Sequence, residues 1–150
     1  MKIESMLCRK VIAASGTSLL ISFLLAFNYV KGIDFNTIGW WTVYLMYSGP
    51  IIIIYGTLAS FISDIMAGYI SKKIPLWPQL WPQRLFSLLF HIAFGLILWQ
   101  VSMIAAVIFF VLDNVLDKRR PVYSMKRAAV GLGALVGCWL YMILLINFIG

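Results

Sequence analysis

Asp64 and His91 are the side chains best suited to chemistry, because each is an ionisable group inside a long apolar stretch of the sequence. Ionisable residues within membrane spans are costly and mark ion pathways or proton relays by default. A carboxylate beside an imidazole favours the charged imidazole, and such a pair could relay protons or hold a cation. We therefore predict a polar pair, Asp64 and His91, inside the membrane. The alternative interpretation places both residues at the level of the lipid headgroups.

The spacing of small residues supports this pair. Each member belongs to a series with a period of four residues: Gly56, Ser60, Asp64 and Gly68 in the first, and Ser87, His91, Gly95 and Trp99 in the second. Small residues at this spacing usually face neighbouring helices. Asp64 lies six residues before its stretch ends at Ile70, and His91 lies six residues after Leu85 begins the next stretch. A helical rise of about 1.5 Å per residue then places both side chains about 9 Å from the same surface.

Four apolar stretches must position these side chains, and each reaches the roughly 20 residues that a helix needs to cross the hydrocarbon core. Lipid offers no partner to a free backbone N–H or C=O, so a span must be helical. Hydrophobic residues make up 63% of the chain, which leaves no segment for a second domain. The sequence predicts an all-α, polytopic membrane protein with four transmembrane helices in an antiparallel bundle and both termini on one side. The predicted spans of this single domain, residues 1–150, are about 11–30, 41–63, 88–110 and 128–149.

The second and third stretches are each longer than one perpendicular span. Gly49 and Pro50 interrupt the second stretch, and proline lacks a backbone donor and clashes with the preceding turn, so we predict a helix kink there. The third stretch, about residues 85–112, is too short for two full crossings and has no Gly/Pro turn near its centre. We therefore predict one long, tilted helix.

Tryptophans flank these stretches and predict anchors at the membrane surface, where amphipathic rings are enriched. Trp40 and Trp41 lie at the start of the second stretch. Trp77 and Trp81 lie in a tandem repeat, LWPQLWPQ, whose prolines argue against a regular helix. A proline-rich ligand for an aromatic groove on a partner is the alternative interpretation of this repeat.

The fourth stretch carries Ala129, Gly133 and Gly137, again four residues apart. Gly133 and Gly137 form a GxxxG pattern, which lets two helix backbones approach closely. We predict that this face packs against another helix.

Composition excludes several classes of function. The formal net charge of +7 suits lipid phosphates, whereas nucleic acid would need a solvated basic surface that no segment is large enough to supply. The sequence has no HExxH or GxSxG motif, no cysteine cluster and no second histidine. We predict no enzymatic activity, no cofactor and no metal. Cys8 and Cys138 should differ in depth and remain free thiols.

Basic residues do not decide the orientation of a four-span protein. Lys and Arg number three at the N-terminus, one in the first connection, three in the second and five in the third, which gives six on each side. The positive-inside rule therefore gives a tie, and Arg9 and Lys10 at the first helix favour a cytoplasmic N-terminus. The tie also permits insertion in both orientations.

Part of the second stretch resembles a known family. The residues concerned are Tyr47-Ser48-Gly49-Pro50, then Ile51 to Tyr55-Gly56, then Ser60 and Ser63-Asp64. They resemble small, uncharacterised multi-pass membrane proteins of Gram-positive bacilli, some of them carried on prophages. The resemblance implies a protein of the cell membrane with no assigned activity.

Two hypotheses of function follow. The first is a non-enzymatic membrane protein that associates through its small-residue faces with itself or with a membrane-protein partner in the lipid bilayer. The second is a small transporter, or a proton- or cation-conducting subunit, that uses Asp64 and His91. A water-accessible cavity at Asp64 would favour the second hypothesis over the first.

Overall fold

All elements of the chain are helices in the computed structural model, which describes residues 3–73, 80–97, 100–118 and 123–149. No strand occurs within these ranges. The helices are α1 (Ile3–Val30), α2 (Phe35–Ile51), α3 (Thr57–Ser71), α4 (Leu80–Ile97), α5 (Gln100–Lys118) and α6 (Met125–Ile149), and a π-helical turn (Ile52–Gly56) joins α2 to α3.

Within the described residues, three helical segments are long and apolar enough to cross a membrane: Ile3–Val30, Phe35–Ser71 and Met125–Phe148. The predicted all-α fold is confirmed for these residues, and the three segments indicate a membrane protein. A fourth segment, Gln83–Leu96, is apolar but shorter.

The prediction of one long helix at 88–110 is wrong, because the third stretch divides into α4 and α5. A Cβ added to Gly95 would lie 3.0 Å from the Cα of Met103 and 3.1 Å from the Cβ of Ala106. In one continuous helix, the rise of about 1.5 Å per residue would separate residues 95 and 106 by about 16 Å. The two helices therefore fold back on each other as a hairpin. Gly95 allows the close approach, and the Ser102 hydroxyl donates a hydrogen bond to the Gly95 carbonyl.

This hairpin changes the direction of the last helix. The Cys8 thiol lies 3.7 Å from the Met125 sulfur, and the backbone of Gly131 packs on Ile12. Helix α6 therefore runs parallel to α1, so the C-terminal end of α6 lies at the opposite end of the bundle from the start of α1. The prediction of both termini on one side is wrong for this fold.

One end of the bundle, which we call the charged end, gathers the starts of α1, α4 and α6 and the ends of α3 and α5. Eight of the nine described Lys and Arg residues belong to it: Arg9, Lys10, Lys72, Lys73, Arg84, Lys118, Lys126 and Arg127. Lys31, at the end of α1, lies at the other end of the bundle.

Helix α1 is the central helix, packed against α2, α3, α5 and α6. Its buried face consists largely of small residues, and their hydroxyls donate to carbonyls of the same helix, as Ser18 does to Ala14 at 2.8 Å. These hydrogen bonds satisfy hydroxyl groups for which lipid has no partner, and the small side chains let neighbouring helices pack close to the α1 backbone.

A short turn joins α1 to α2 and makes them antiparallel neighbours. Asp34 caps α2, accepting a hydrogen bond from the Thr37 backbone N–H at 2.9 Å, while the Thr37 hydroxyl reaches back to the Asp34 N–H. The Thr37 backbone hydrogen bond lowers the pKa of the exposed Asp34 carboxyl. A lowered pKa means that the cap stabilises the fold above the ordinary value of 3.8 and loses this contribution as the pH falls further.

The helical backbone changes type two residues after Pro50. The π-helical turn begins at Ile52, and the N–H of Ile52 is shared between the Ser48 and Gly49 carbonyls. A proline within a helix removes a backbone donor, and π-turns are a common accommodation in helices. The predicted kink at Gly49 and Pro50 itself stays a prediction.

Candidate ion-binding site

Lys10 is the centre of a charged cluster inside the bundle. Its side chain is fully buried, and its ammonium donates to Asp64 Oδ2 at 2.5 Å, to Asp113 Oδ2 at 3.0 Å and to Ser60 Oγ at 2.6 Å. The helix that carries Lys10 begins at Ile3, two turns before the apolar stretch. Lys10 is therefore part of the regular helix and lies on its buried face. The three partners come from α3 and α5, so the cluster joins three helices.

Arg9 extends the cluster toward the end of α5. Its guanidinium Nε donates to Asp113 Oδ1 at 2.7 Å, and Nη1 donates to Asp117. The Asp113 side chain is 9% exposed and that of Asp117 is 44% exposed. Asp113 therefore bridges Arg9 and Lys10 from a buried position, while Asp117 reaches the surface.

Asp64 and His91 meet through Ser87 and make no direct hydrogen bond. The Ser87 hydroxyl donates to Asp64 Oδ1 at 2.7 Å and lies 3.5 Å from Nδ1 of His91. Ser87 is thus level with Asp64, and His91 lies one helical turn deeper, about 6 Å along α4. The Asp64 side chain is 24% exposed, whereas His91 is buried.

Charge in the cluster is nearly balanced. Two basic side chains, Arg9 and Lys10, face three carboxylates, those of Asp64, Asp113 and Asp117, which leaves one negative charge in excess when all five are ionised. Buried ions need both charge partners and hydrogen bonds because desolvation is severe. The Lys10 ammonium has both, from two carboxylates and one hydroxyl.

A half-open cavity of about 300 Å³ lies beside the cluster at the charged end. We call it the outer cavity. Its polar lining includes the carboxylates Asp64, Asp113 and Asp117, with Arg84 on its exposed rim. The cavity therefore gives a small polar solute or ion direct access to Asp64.

The predicted packing face of α6 has no neighbour among the residues that the structure describes. Ala129, Gly133 and Gly137 are exposed, and a Cβ added at either glycine would meet nothing within 4 Å. Gly131 faces α1 instead, since a Cβ added to Gly131 would lie 3.5 Å from the Ile12 side chain. The parallel course of α6 beside α1 turns a different face inward, and packing of the predicted face against another helix stays a prediction.

The predicted tryptophan anchors have different surroundings. Trp40 is 37% exposed and packs at a tilt against Tyr29, with ring centres 4.4 Å apart. The indole N–H of Trp41 donates to Ser22 at 3.0 Å, so this ring serves helix packing. Trp77 and the side chain of Trp81 lie outside the described residues, although the helical start of α4 at Leu80 takes the second half of the LWPQ repeat into a helix.

Sequence reasoning missed Arg9, Lys10 and Asp113 as site residues. The basic pair reads as a headgroup anchor and the aspartate as part of a connection, because both stand just outside an apolar stretch. The available signal was the series Lys10, Ala14, Ser18 and Ser22, which continues the small-residue face of α1 down to the lysine.

Among the described residues, no group of three or more His, Cys, Asp or Glu side chains is arranged to hold a metal ion. Cys8 and Cys138 are both free thiols. No family model, curated protein or solved structure matches the chain.

Proposed function

We propose that this chain is a multi-pass protein of the cell membrane that moves a proton or a small cation through the site at Lys10, Asp64 and Asp113. One observation carries the proposal: Asp64 borders the outer cavity while it shares the fully buried Lys10 ammonium with Asp113. An ionisable group that is buried in a membrane bundle and also reachable from a polar cavity is the usual arrangement of an ion pathway.

Lys10 gives the site two states of similar charge balance. In the first state, the ammonium contacts both Asp64 and Asp113. When a proton or cation binds Asp64 from the outer cavity, Lys10 keeps Asp113 as its partner, so no buried charge is left unpaired. The Lys10 ammonium thus competes with the incoming ion for the Asp64 carboxylate, and it stays bound to Asp113 when the ion displaces it.

A second candidate function is association of copies of the chain, or of the chain with another membrane protein, through α6. The observation that favours it is the free face at Ala129, Gly133 and Gly137, whose GxxxG spacing suits close backbone contact in lipid. If this face is an interface between copies, the larger side chain in Gly137→Leu prevents close contact, and a chemical reagent no longer crosslinks the copies in membranes. An unchanged crosslinking pattern would mean that the face contacts lipid.

The substitution Asp64→Asn tests the transport proposal. It removes the exchangeable carboxylate but leaves Lys10 paired with Asp113, so the fold is retained. We expect proton or cation flux into liposomes that contain the purified protein to fall by about 100-fold, the usual contribution of a proton-transferring group. Flux is followed with a pH-sensitive dye inside the vesicles, and with Na⁺ and K⁺ gradients in parallel.

Asp34→Asn is the matched control, because it makes the same chemical change at an exposed carboxylate at the other end of the bundle. Asparagine caps helices about as well as aspartate, so the start of α2 is preserved. Flux of the control equals that of the unmodified chain. If the unmodified chain passes none of the three ions faster than empty vesicles, or if Asp64→Asn passes them equally fast, the proposal is wrong.

The fold also predicts the orientation. With the α4–α5 hairpin returning to the charged end, the described basic residues divide eight to one between the ends. Such a bias places the charged end in the cytoplasm. When intact cells stripped of their wall are treated with protease, a tag at the N-terminus should therefore be protected and a tag at the C-terminus should be cleaved. Protection of both tags would contradict this orientation and support four spans with both termini in the cytoplasm.

A further inference from the structure

A second cavity lies deeper in the bundle, and we call it the inner cavity. Its volume is about 60 Å³, and α5 and the π-helical turn contribute most of its apolar wall. His91 lines this cavity and does not line the outer one. The His91 residue is only 3% exposed, and no described residue offers a hydrogen bond to its Nε2.

The hydrogen bond on the other ring nitrogen fixes the tautomer of neutral His91. Its Nδ1 lies 2.7 Å from the Ser87 carbonyl oxygen. A carbonyl only accepts, so Nδ1 carries the hydrogen and Nε2 presents a lone pair. The inner cavity is therefore lined by a buried imidazole whose acceptor nitrogen has no hydrogen-bond partner among the described residues.

Two hydroxyl groups that line the inner cavity have also used their hydrogens. The Tyr55 hydroxyl donates to the Phe94 carbonyl at 2.9 Å, and the Ser102 hydroxyl donates to the Gly95 carbonyl. Both oxygens keep lone pairs and remain able to accept. With His91 Nε2 they make three acceptors on residues that line one cavity, and a small molecule that donates hydrogen bonds is the complementary ligand.

We infer that the inner cavity binds water that donates a hydrogen bond to His91 Nε2, and that this water delivers protons to the inner side of the charged site. The volume of the cavity exceeds the roughly 10–15 Å³ that one water molecule needs. A buried water usually has about two to four polar partners, and the three acceptors are within that range. The proton-delivery role rests on the proposed function; the binding of water does not.

The transfer step is balanced at named atoms. A hydronium ion in the inner cavity gives its proton to Nε2, which forms the imidazolium form of His91 and leaves a neutral water molecule. The ring then loses its Nδ1 hydrogen to Ser87 Oγ, 3.5 Å away, while the Ser87 hydroxyl hydrogen passes to Asp64 Oδ1. The charged group that faces the ring is the Asp64 carboxylate, which accepts a hydrogen bond from the Ser87 hydroxyl, and that hydroxyl lies 3.5 Å from Nδ1. Lys10 and Asp113 belong to the same charged cluster. The transported ion is then a proton. An apolar pocket with three neutral acceptors cannot replace the hydration shell of a metal cation.

The single histidine of the chain makes the water binding measurable. Protein labelled with ¹⁵N-histidine and placed in lipid bilayers gives nitrogen resonances from His91 alone. We expect Nδ1 to carry the hydrogen and Nε2 to receive magnetisation from water protons. A hydrogen on Nε2 in the neutral ring, or no transfer from water to Nε2, would overturn the inference.

Gly56→Ala is the cavity-filling variant, because its added methyl would sit 3.5 Å from the Phe109 ring, at ordinary contact distance, between two residues that line the inner cavity. The water signal at Nε2 should fall to background in this variant. Gly133→Ala makes the same change where nothing lies within 4 Å, and it should leave the signal unchanged. Equal water signals in the two variants would contradict the assignment of the water to this cavity.

Proton flux separates the inference from the proposed function. His91→Phe keeps a flat ring among Phe109 and Phe110 but removes both nitrogens, and we expect proton flux to fall at least about 10-fold. If His91→Phe conducts normally while Asp64→Asn does not, the proposed function stands and His91 is not the delivery point. If Asp64→Asn conducts normally, the proposed function fails and the proton-delivery role fails with it.

Discussion

Replacing Lys10 with methionine is expected to destabilise the protein by about 3–5 kcal/mol, the usual effect of removing one partner from a buried ion pair. Methionine keeps the unbranched shape of the side chain but leaves Asp64 and Asp113 facing each other without the ammonium between them. The Ser60 hydroxyl loses the same partner. The measurement is the free energy of unfolding in detergent, at neutral pH, where Asp113 keeps Arg9 as its partner but the Asp64 carboxylate loses its basic partner.

Lys72→Met is the control for this substitution, because Lys72 is an exposed lysine at the same end of the bundle. Surface substitutions of this kind usually change stability by no more than about 0.5 kcal/mol. If the two variants unfold at the same denaturant concentration, Lys10 is not buried among carboxylates as described.

Substituting Gly95 with alanine is expected to destabilise the protein by about 1–3 kcal/mol, as overpacking usually does. The added Cβ would lie 3.0 Å from two backbone atoms of α5, the Cα of Met103 and the carbonyl oxygen of Ser102. Backbone atoms cannot move aside as a flexible side chain can, so the two helices of the hairpin must separate. Thermal unfolding in detergent measures the loss.

Gly133→Ala serves as the matched control, since a methyl group there meets nothing within 4 Å. Alanine in a helix interior is favoured over glycine by roughly 0.5–1 kcal/mol, so this variant should be slightly more stable than the unmodified chain. Opposite signs for the two substitutions are the expected pattern. A stabilising effect of Gly95→Ala would argue for a single continuous helix across this region.

The helical class and the first two spans were predictable because length, apolarity and short connections are properties of local sequence. The third stretch was not, because a hairpin and a tilted helix differ in a few contacts across the turn. Gly95 gave a signal, but it was read as part of a packing face shared with His91. Contacts between α4 and α5, such as those of Gly95 with α5 and of His91 with Phe109, distinguish the two arrangements.

That one difference also accounts for the part of the site that sequence reasoning missed. A single third helix would carry Asp113 to the end of the bundle opposite Arg9 and Lys10, so no contact among them could be expected. The hairpin brings Asp113 back to the charged end, where it bridges both basic side chains. Asp64 and His91 were identified because an ionisable residue in an apolar stretch is conspicuous without knowledge of the topology.

A double-mutant cycle between Lys10 and Asp64 tests most directly whether the two side chains form one buried unit. The unfolding free energy is measured for the unmodified chain, Lys10→Met, Asp64→Asn and the double variant. We predict that the double variant is more stable than the sum of the single effects implies, with a coupling of about 1–3 kcal/mol, because Asp64→Asn removes a charge that Lys10→Met leaves unpaired. Additivity to within about 0.5 kcal/mol would show that Lys10 and Asp64 do not interact and would contradict the site.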